Sequence, residues 1–416
     1  MNGIMINKLK REVQEVLEKN ILHYWMTQMV DDEHGGFYGR RDGDDRLVPN
    51  APKGAVLNAR ILWAFAAASR VLSENGNELT EDNLQAYKDL ALRAKDYVLK
   101  HFIDREYGGV YWMLDSEGRP VDTKKQTYAI GFMIYGFSEL YRATDDEEAL
   151  QVAIRLFQDI EAHAYDPVNN GYVEALTRDW QHISDMRLSD KDENGSRTMN
   201  THLHILEPYT NLYRVWKDKR LEHQLRNLIY IFTTKILNPR TQHLDLFFDD
   251  QWQGKRNIVS YGHDIEAAWL LTEALEVLGD KRLMAETMPI VNRIAHAAEE
   301  GLRPGGAMTD EKREGQPMSP LSEEEGGDLV WWVQCECIIG EVNQWQHFGD
   351  NEALERALRC WDYTRQHLID WLHGEWHWSV KENGSVNRND DKAGPWKCPY
   401  HNTRLCLEII ERAQKR

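Results

Sequence analysis

Apolar residues recur at three- and four-residue spacing along most of the chain, which is the pattern of helices that bury one face or more. Strand-like alternation is short and local. The segments that predict helices are Ile6 to Lys19, Val56 to Leu72, Asn83 to His101, Ala129 to Thr144, Ala149 to Ala162, Asn200 to Trp216 and His263 to Gly279. The pattern therefore predicts an all-α protein.

A second pattern, a glycine turn followed by aromatic or β-branched residues, recurs along the same chain. Its six copies begin at Gly35, Gly108, Gly171, Leu244, Gly305 and Gly374, although the fourth lacks the glycine and the fifth lacks an aromatic residue. The spacing of roughly 60 to 75 residues leaves room for two helices per copy. We expect one domain over residues 1–416, an (α/α)6 barrel with short β-hairpins at the active-site mouth. An open solenoid is the alternative, but its repeats are usually shorter, about 20 to 45 residues.

Charge and composition exclude several classes of partner. The formal net charge is −18 and no long Lys/Arg run is present, which argues against nucleic acid. The longest apolar stretches fall far below the roughly 20 residues of a membrane span, and the N-terminus lacks a secretory pattern. Five scattered cysteines without C-x-x-C spacing favour a reducing compartment. We expect a cytoplasmic protein, a monomer or weak homodimer, without membrane or nucleic-acid partners.

Aromatic residues are numerous, with 15 Trp, 17 Tyr and 10 Phe. Such residues fill cores, but their flat faces also stack on the apolar faces of sugar rings. Carbohydrate is therefore the first candidate ligand.

The segment from Met199 to Glu207 carries two histidines on one predicted helix. At 100° per residue His204 shares a polar stripe with Asn200 and Glu207, whereas His202 lies among apolar residues. This geometry predicts that His204 faces a cavity and that His202 is a core histidine.

Two further histidines begin predicted helices. His263 follows Ser260 and Gly262, which have the character of a helix start, and Glu266 lies three residues later, within reach of its imidazole. His401 follows Pro399, which suits a first helical position. The first turn of a helix disfavours imidazolium, so His263 is expected to be neutral and able to accept a proton. A lone histidine such as His401 is more often structural, but its place beside Trp396, at the same relative position as His263, favours a site.

An arginine and a pair of tryptophans complete the set of candidate residues. Arg60 lies in an otherwise apolar helix, where it needs a structural carboxylate or a developing oxyanion as partner. Trp331 and Trp332 can be core residues or a sugar platform. Histidines with a glutamate could instead bind a metal for a hydride-shift isomerisation, but the helical H-x-x-x-H pairing of zincins is absent and the carboxylates are spaced as histidine partners.

Taken together, these motifs resemble the N-acylglucosamine 2-epimerase superfamily. The resemblance runs from about residue 5 to residue 410, and it rests on the motifs that begin at Asn58, Leu188, Asn200, Gly262, Trp331 and Trp396. Among its members, the disaccharide epimerases are the most similar.

The resemblance implies an (α/α)6 barrel and cofactor-free, metal-free 2-epimerisation of the reducing-end glucose of β-1,4-linked disaccharides such as cellobiose and lactose. It implies that His401 opens the ring and takes the C2 proton, and that His263 works from the opposite face with support from Glu266. Arg60 and His204 would stabilise a cis-enediolate. The substrate-binding residues would be Tyr128, Asp192, Asn200, Trp331, Trp332 and Trp396.

The chemistry agrees with this implication, because C2 epimerisation needs two groups that exchange protons near neutral pH. Three alternatives stay open on sequence alone. They are an aldose-ketose isomerase or N-acylglucosamine 2-epimerase of the same superfamily, an (α/α)6 glycoside hydrolase with two carboxylates across a cleft, and a non-catalytic sugar-binding protein.

Overall fold

A computed structural model describes residues 2–75, 80–190, 192–254, 258–313, 328–381 and 383–414. Its helices, in chain order, are α1 (Asn2–Val16), α2 (His23–Gln28), α3 (Ala55–Glu74), α4 (Glu81–Tyr97), α5 (Thr127–Thr144), α6 (Glu147–Asp159), α7 (Met199–Val215), α8 (Lys219–Ile231), α9 (Tyr261–Leu278), α10 (Lys281–Ala298), α11 (Trp331–Phe348), α12 (Asn351–His367) and α13 (His401–Arg412). All seven helices that the periodicity predicts are present.

Six of these helices form an inner ring. Each of α3, α5, α7, α9 and α11 packs against the next helix of the set, and α13 packs against both α11 and α3, so the ring closes. The other helices lie outside it and are amphipathic, as expected for a layer with one face in solvent. The predicted (α/α)6 barrel is thereby confirmed, and the open solenoid is excluded.

The inner helices are buried on nearly all sides, which explains their apolar character. Helix α3 is long and apolar enough to cross a membrane by length and composition, but 89% of its apolar window is buried inside the barrel. Here that composition reflects a core helix packed between two neighbours.

Short antiparallel strands gather at the end of the barrel where the inner helices begin. They are β1 (Lys53–Gly54), β2 (Met113–Leu114), β3 (Pro120–Asp122), β4 (Lys125–Gln126), β5 (Tyr165–Asp166), β6 (Gly171–Tyr172), β7 (Ala175–Leu176), β8 (Arg197–Thr198), β9 (Phe247–Phe248), β10 (Ile258–Ser260), β11 (Glu311–Arg313), β12 (Leu329–Val330) and β13 (Ser379–Val380). Strands β1, β4, β8, β10 and β12 each lead directly into an inner helix.

The six recurring turns connect the outer helices to this mouth. Each is closed by an antiparallel pair, namely Val30 with Phe37, Ile103 with Val110, Tyr165 with Tyr172, Leu237 with Leu244, Leu302 with Met308 and Ile369 with Trp376. Three of them follow a π-helical turn, at Val98–Phe102, Ile160–Ala164 and Phe232–Ile236. A local sequence signal thus marks every return of the chain to the mouth of the barrel.

Candidate active site

Three histidines, His204, His263 and His401, lie near one another at the mouth, each on a different inner helix. The rings of His263 and His401 both contact Trp332, at centroid distances of 4.7 and 5.4 Å. The ring of His204 lies 5.0 Å from that of Tyr128. His263 lies 59 positions from His204 and 138 from His401 along the chain, so the three histidines meet because the ring of helices closes.

Helix α7 places His204 by breaking its own regularity. Pro208 has no N–H for the carbonyl of His204, and the backbone of His204 is accordingly non-helical, with φ −89° and ψ 16°. Gly131 of α5 approaches this carbonyl so closely that a Cβ there would lie 2.4 Å from its oxygen. The kink and the glycine together let His204 turn into the barrel axis.

His204 and His202 have different partners, one a carboxylate and the other backbone groups, although both are buried. His204 Nδ1 lies 3.0 Å from Oε2 of Glu207. His202 is fully buried, where its Nδ1 donates to the Thr198 carbonyl (2.7 Å) and its Nε2 accepts from the Tyr172 N–H (3.0 Å). His202 is therefore a structural residue.

His263 stands in the first turn of α9, whose N-cap is Ser260. The Ser260 hydroxyl accepts from the backbone N–H of His263 and lies 2.8 Å from Nδ1 of the same residue. Gly262 makes room for the tryptophan beside it, because a Cβ there would lie 2.7 Å from the Trp332 ring. Burial and repulsion by His204 lower the pKa of His263 to about 3, so its ring is neutral.

The pairing of His263 with Glu266 is wrong. Among the described residues, no hydrogen bond or ion pair joins them, and the carboxylate of Glu266 instead accepts from the guanidinium of Arg404 and lies 4.0 Å from Nε2 of His204. A buried guanidinium is always charged and therefore requires an anionic partner, whereas a neutral imidazole does not. Glu266 accordingly pairs with Arg404 and not with His263. Ser260 takes the place beside His263 Nδ1.

His401 is the first residue of α13, so the helix begins two residues later than Pro399 predicts, but the histidine is still in its first turn. Its Nδ1 lies 2.7 Å from Oε1 of Glu336 on α11. Burial, together with the positive charges of Arg60 and Arg404, holds the pKa of His401 well below its usual range. This imidazole is also neutral, and no hydrogen bond from a described residue reaches its Nε2.

Arg404 is the cation that sequence reasoning missed. Its guanidinium pairs with three buried carboxylates, those of Glu207, Glu266 and Glu336. Burial and repulsion by Glu336 raise the pKa of Glu266 to about 7, although Arg404 acts in the opposite direction. Burial also acts to raise the pKa of Glu207, but Arg404 and His204 outweigh it and lower this pKa to about 2. One arginine thus anchors the glutamates behind His204 and His401.

The same cluster has the spacing of a metal site. The ligand atoms of Glu266, Glu336 and His401 lie within 4.8 Å of one another. However, Arg404 already donates to both carboxylates, and His401 Nδ1 contacts one of them. The donor set is therefore engaged by a protein cation.

Arg60 has a different environment. It is 2% exposed, its Nη2 donates to the Tyr128 hydroxyl (2.9 Å) and its Nη1 contacts Cys398 Sγ (3.4 Å), while Nε has no hydrogen-bond partner in the part of the chain that the structure describes. The ring of Tyr400 lies 4.4 Å from the guanidinium. Among the described residues, no carboxylate hydrogen-bonds to Arg60. Its guanidinium also lies 4.3 Å from the ring of Phe132, so the contacts of this buried cation are aromatic rings, a phenol and a thiol.

The remaining candidates line the mouth around this cluster. Trp396 lies 6.0 Å from Tyr128, and Trp112, which sequence reasoning missed, lies 6.1 Å from Trp396. Asp192 and Asn200 share a cavity with His263. Trp331 is largely buried, whereas Trp332 is partly exposed beside both histidines, so the two tryptophans differ in their access to a ligand.

Comparison with known proteins places this geometry in context. Residues 36–404 match the family model described as N-acylglucosamine 2-epimerase (GlcNAc 2-epimerase). The chain is 57% identical to the cellobiose 2-epimerase of Bacteroides fragilis, covering 97% of this chain and 98% of the relative. It is 38% identical to the cellobiose 2-epimerase of Ruminococcus albus, covering 96% and 98%. The structure of cellobiose 2-epimerase from Bacillus thermoamylovorans B4167 superposes with a TM-score of 0.89 at 38% identity, covering 98% and 100%.

Proposed function

Because the chain belongs to the N-acylglucosamine 2-epimerase family and is a carbohydrate-epimerising isomerase, we propose that its substrates are β-1,4-linked disaccharides. The reaction inverts C2 of the reducing-end glucose, so that cellobiose gives glucosyl-mannose and lactose gives epilactose. The cellobiose 2-epimerases to which it is similar over nearly its whole length support this substrate class.

The observation that carries the mechanism is the buried Arg60, which has no carboxylate partner among the described residues and acts electrostatically on His401. Removal of the C2 proton from the open-chain aldehyde leaves a negative charge shared by O1 and O2. A cation that is already desolvated and preorganised stabilises such a charge strongly. Arg60 and His204 are the groups for this role, because both contact Tyr128 at the site.

The two neutral imidazoles account for the proton transfers. His401 opens the sugar ring and removes the C2 proton through Nε2, while Glu336 holds its other nitrogen. His263 returns a proton to the opposite face. Trp332, between the two rings, and Trp396 hold the sugar. Tyr128, Asp192 and Asn200 bind its hydroxyl groups, and Trp331 supports the platform from behind.

A hydrolase would need two carboxylates free to act as acid and as base or nucleophile. The carboxylates that contact His204 and His401, those of Glu207, Glu266 and Glu336, all pair with Arg404 instead. The geometry therefore favours proton transfer on carbon over cleavage of the glycosidic bond.

The proposal extends to the setting of the enzyme. No cofactor is required by a reaction that only moves protons, and the five cysteines, all described and all unpaired, suit a cytoplasmic location. A monomer or weak homodimer is the predicted state.

The test is NMR of the products after incubation with cellobiose, lactose, N-acetylglucosamine and mannose, together with cellobiose in D2O. We expect glucosyl-mannose and epilactose, with deuterium at C2. His263→Ala and His401→Ala should each lower kcat about 100-fold or more, whereas His223→Ala, an exposed residue of α8, should not. A ketose product, free glucose, or an unchanged C2 proton would contradict the proposal.

A further inference from the structure

The three site histidines differ in the group that faces Nδ1. For His204 and His401 it is a carboxylate, of Glu207 and Glu336 respectively. A carboxylate only accepts hydrogen bonds, so it holds the proton on Nδ1 and leaves Nε2 bare. For His263 it is the hydroxyl of Ser260, which can both donate and accept.

The Ser260 oxygen has three neighbours and is fully buried. They are the backbone N–H of His263 at 3.4 Å, Nδ1 of His263 at 2.8 Å and Oδ1 of Asp310 at 3.4 Å. A hydroxyl offers one hydrogen and two lone pairs. The N–H uses one lone pair, so the hydrogen and the other lone pair are divided between Nδ1 and Asp310.

This division leaves two arrangements. When Asp310 is ionised, the hydroxyl donates to Asp310 and accepts from Nδ1–H, so Nε2 of His263 is a bare base. When Asp310 is protonated, it donates to Ser260, which donates to Nδ1, and the ring hydrogen is then on Nε2.

We infer that Ser260 and Asp310 are positioning residues that couple the protonation of Asp310 to the tautomer of His263, and so let His263 act as acid or as base. The inference rests on the proposed function in assigning that acid–base role, but the coupling itself is a property of the resting protein.

The hydrogen-bonded series from Asp310 through Ser260 to His263 can act as a proton relay. Such a relay solves a problem that neutral histidines create. A neutral imidazole that simply gave up its Nε2 hydrogen would become an imidazolate, which is a poor product. In the relay, the Nε2–H bond breaks as the new C2–H bond forms, Nδ1 takes the Ser260 proton, and Ser260 takes the proton of Asp310. The ring stays neutral, and Asp310 ends as a carboxylate.

The charged groups around Asp310 and around His263, the two ends of the relay, agree with this arrangement. Burial and the neighbouring Glu311 raise the pKa of Asp310 to about 8, so its proton is present at neutral pH. Burial and His204 of α7 lower the pKa of His263. His401 of α13 also faces the ring, and Glu174, Asp192, Glu193 and Glu311 line the same cavity. Imidazolium is therefore not the acid at this position.

Long-range 1H–15N NMR of 15N-histidine-labelled enzyme tests the coupling without substrate, with His263→Gln to assign the signals. We expect His263 to carry its hydrogen on Nε2 below about pH 8 and on Nδ1 above it. In Asp310→Asn, which cannot titrate but leaves the N-cap intact, the tautomer should not change with pH. A tautomer that is constant in the wild type, or that switches equally in Asp310→Asn, would overturn the inference.

Kinetics with cellobiose tests its consequence. Ser260→Ala should lower kcat about 10- to 100-fold with little change in KM, and Ser260→Thr should restore most of the loss because it restores the hydroxyl. Thr80→Ala removes an N-cap from the outer helix α4 and controls for cap loss alone. Wild-type inactivity on cellobiose would refute the proposed function but not the coupling, whereas full activity of Ser260→Ala would refute the relay.

Discussion

Replacement of Glu336 by glutamine tests whether His401 depends on a carboxylate behind it. Three donors converge on this side chain. His401 Nδ1 (2.7 Å) and Arg404 Nη2 (2.7 Å) contact Oε1, and Trp269 Nε1 donates to Oε2 (2.9 Å). In either orientation, the amide nitrogen of glutamine meets at least one of these donors. Glu336→Gln therefore changes the partners as well as the charge.

The expected losses of stability and of kcat in Glu336→Gln follow from these contacts. Breaking a buried ion pair on one side costs about 3 to 5 kcal/mol, which a protein with about 5 to 15 kcal/mol of stability survives. If the amide nitrogen faces His401, Nδ1 becomes the acceptor and Nε2 carries the hydrogen, so the base is lost. We expect kcat to fall about 100- to 10,000-fold, the usual contribution of general acid–base catalysis, with a smaller change in KM.

The assay is the initial rate of epimer formation by NMR, with urea unfolding to confirm that the variant is folded. Glu341→Gln is the matched control, because Glu341 is a buried glutamate on the same helix that pairs with an arginine, Arg356, at 3.0 Å. The control should lose stability but keep kcat within about three-fold, since it lies away from the histidines. Equal losses of kcat in both variants, or normal kcat in Glu336→Gln, would refute the reasoning.

Three further predictions concern Arg60, Gly131 and His202. Arg60→Met should lower kcat about 100- to 1,000-fold, because it removes the charge that stabilises the intermediate. It should leave the free energy of unfolding equal or higher, because this buried cation has no carboxylate partner among the described residues. A large loss of stability by urea unfolding would contradict this. Gly131→Ala should lower both kcat and stability, because its Cβ would meet the His204 carbonyl, and normal activity would show that the close approach is unimportant. Burial lowers the pKa of His202 to about 4, below its unfolded value of about 6.5, so the unfolded state binds a proton first as pH falls. The free energy of unfolding should therefore fall by about 3 kcal/mol between about pH 6.5 and pH 4. His202→Gln should flatten this part of the stability–pH curve, and an unchanged slope would contradict the assignment to His202.

The barrel was predictable because its signals are local. Each turn, such as that of Gly108 before Val110, pairs within a few residues, and each helix shows its own period. The helix faces likewise separate His204 from His202 without knowledge of any other helix. These features depend on neighbours in the chain, which a sequence displays directly.

The partners within the site were not predictable, because they come from distant parts of the chain. Arg404 reaches Glu207 across 197 positions and Glu266 across 138 positions. At a spacing of three residues Glu266 was a reasonable partner for His263, but it could not be known that a buried arginine would compete for it. Asp310, 50 positions from Ser260, is a residue of the same kind.

The asymmetry of the two proposed bases follows from a requirement of the reaction. A reversible 2-epimerase must remove a proton from either face, so both imidazoles have to be neutral before substrate binds, and burial with the nearby cations keeps them so. Because both rings are neutral before substrate binds, neither is an imidazolium that could return the proton. After His401 has taken a proton, its positive charge is balanced by Glu336, whereas His263 must obtain its proton from elsewhere. A hydroxyl and a protonated carboxyl behind His263, in place of a carboxylate, meet that need without placing a second positive charge in the site.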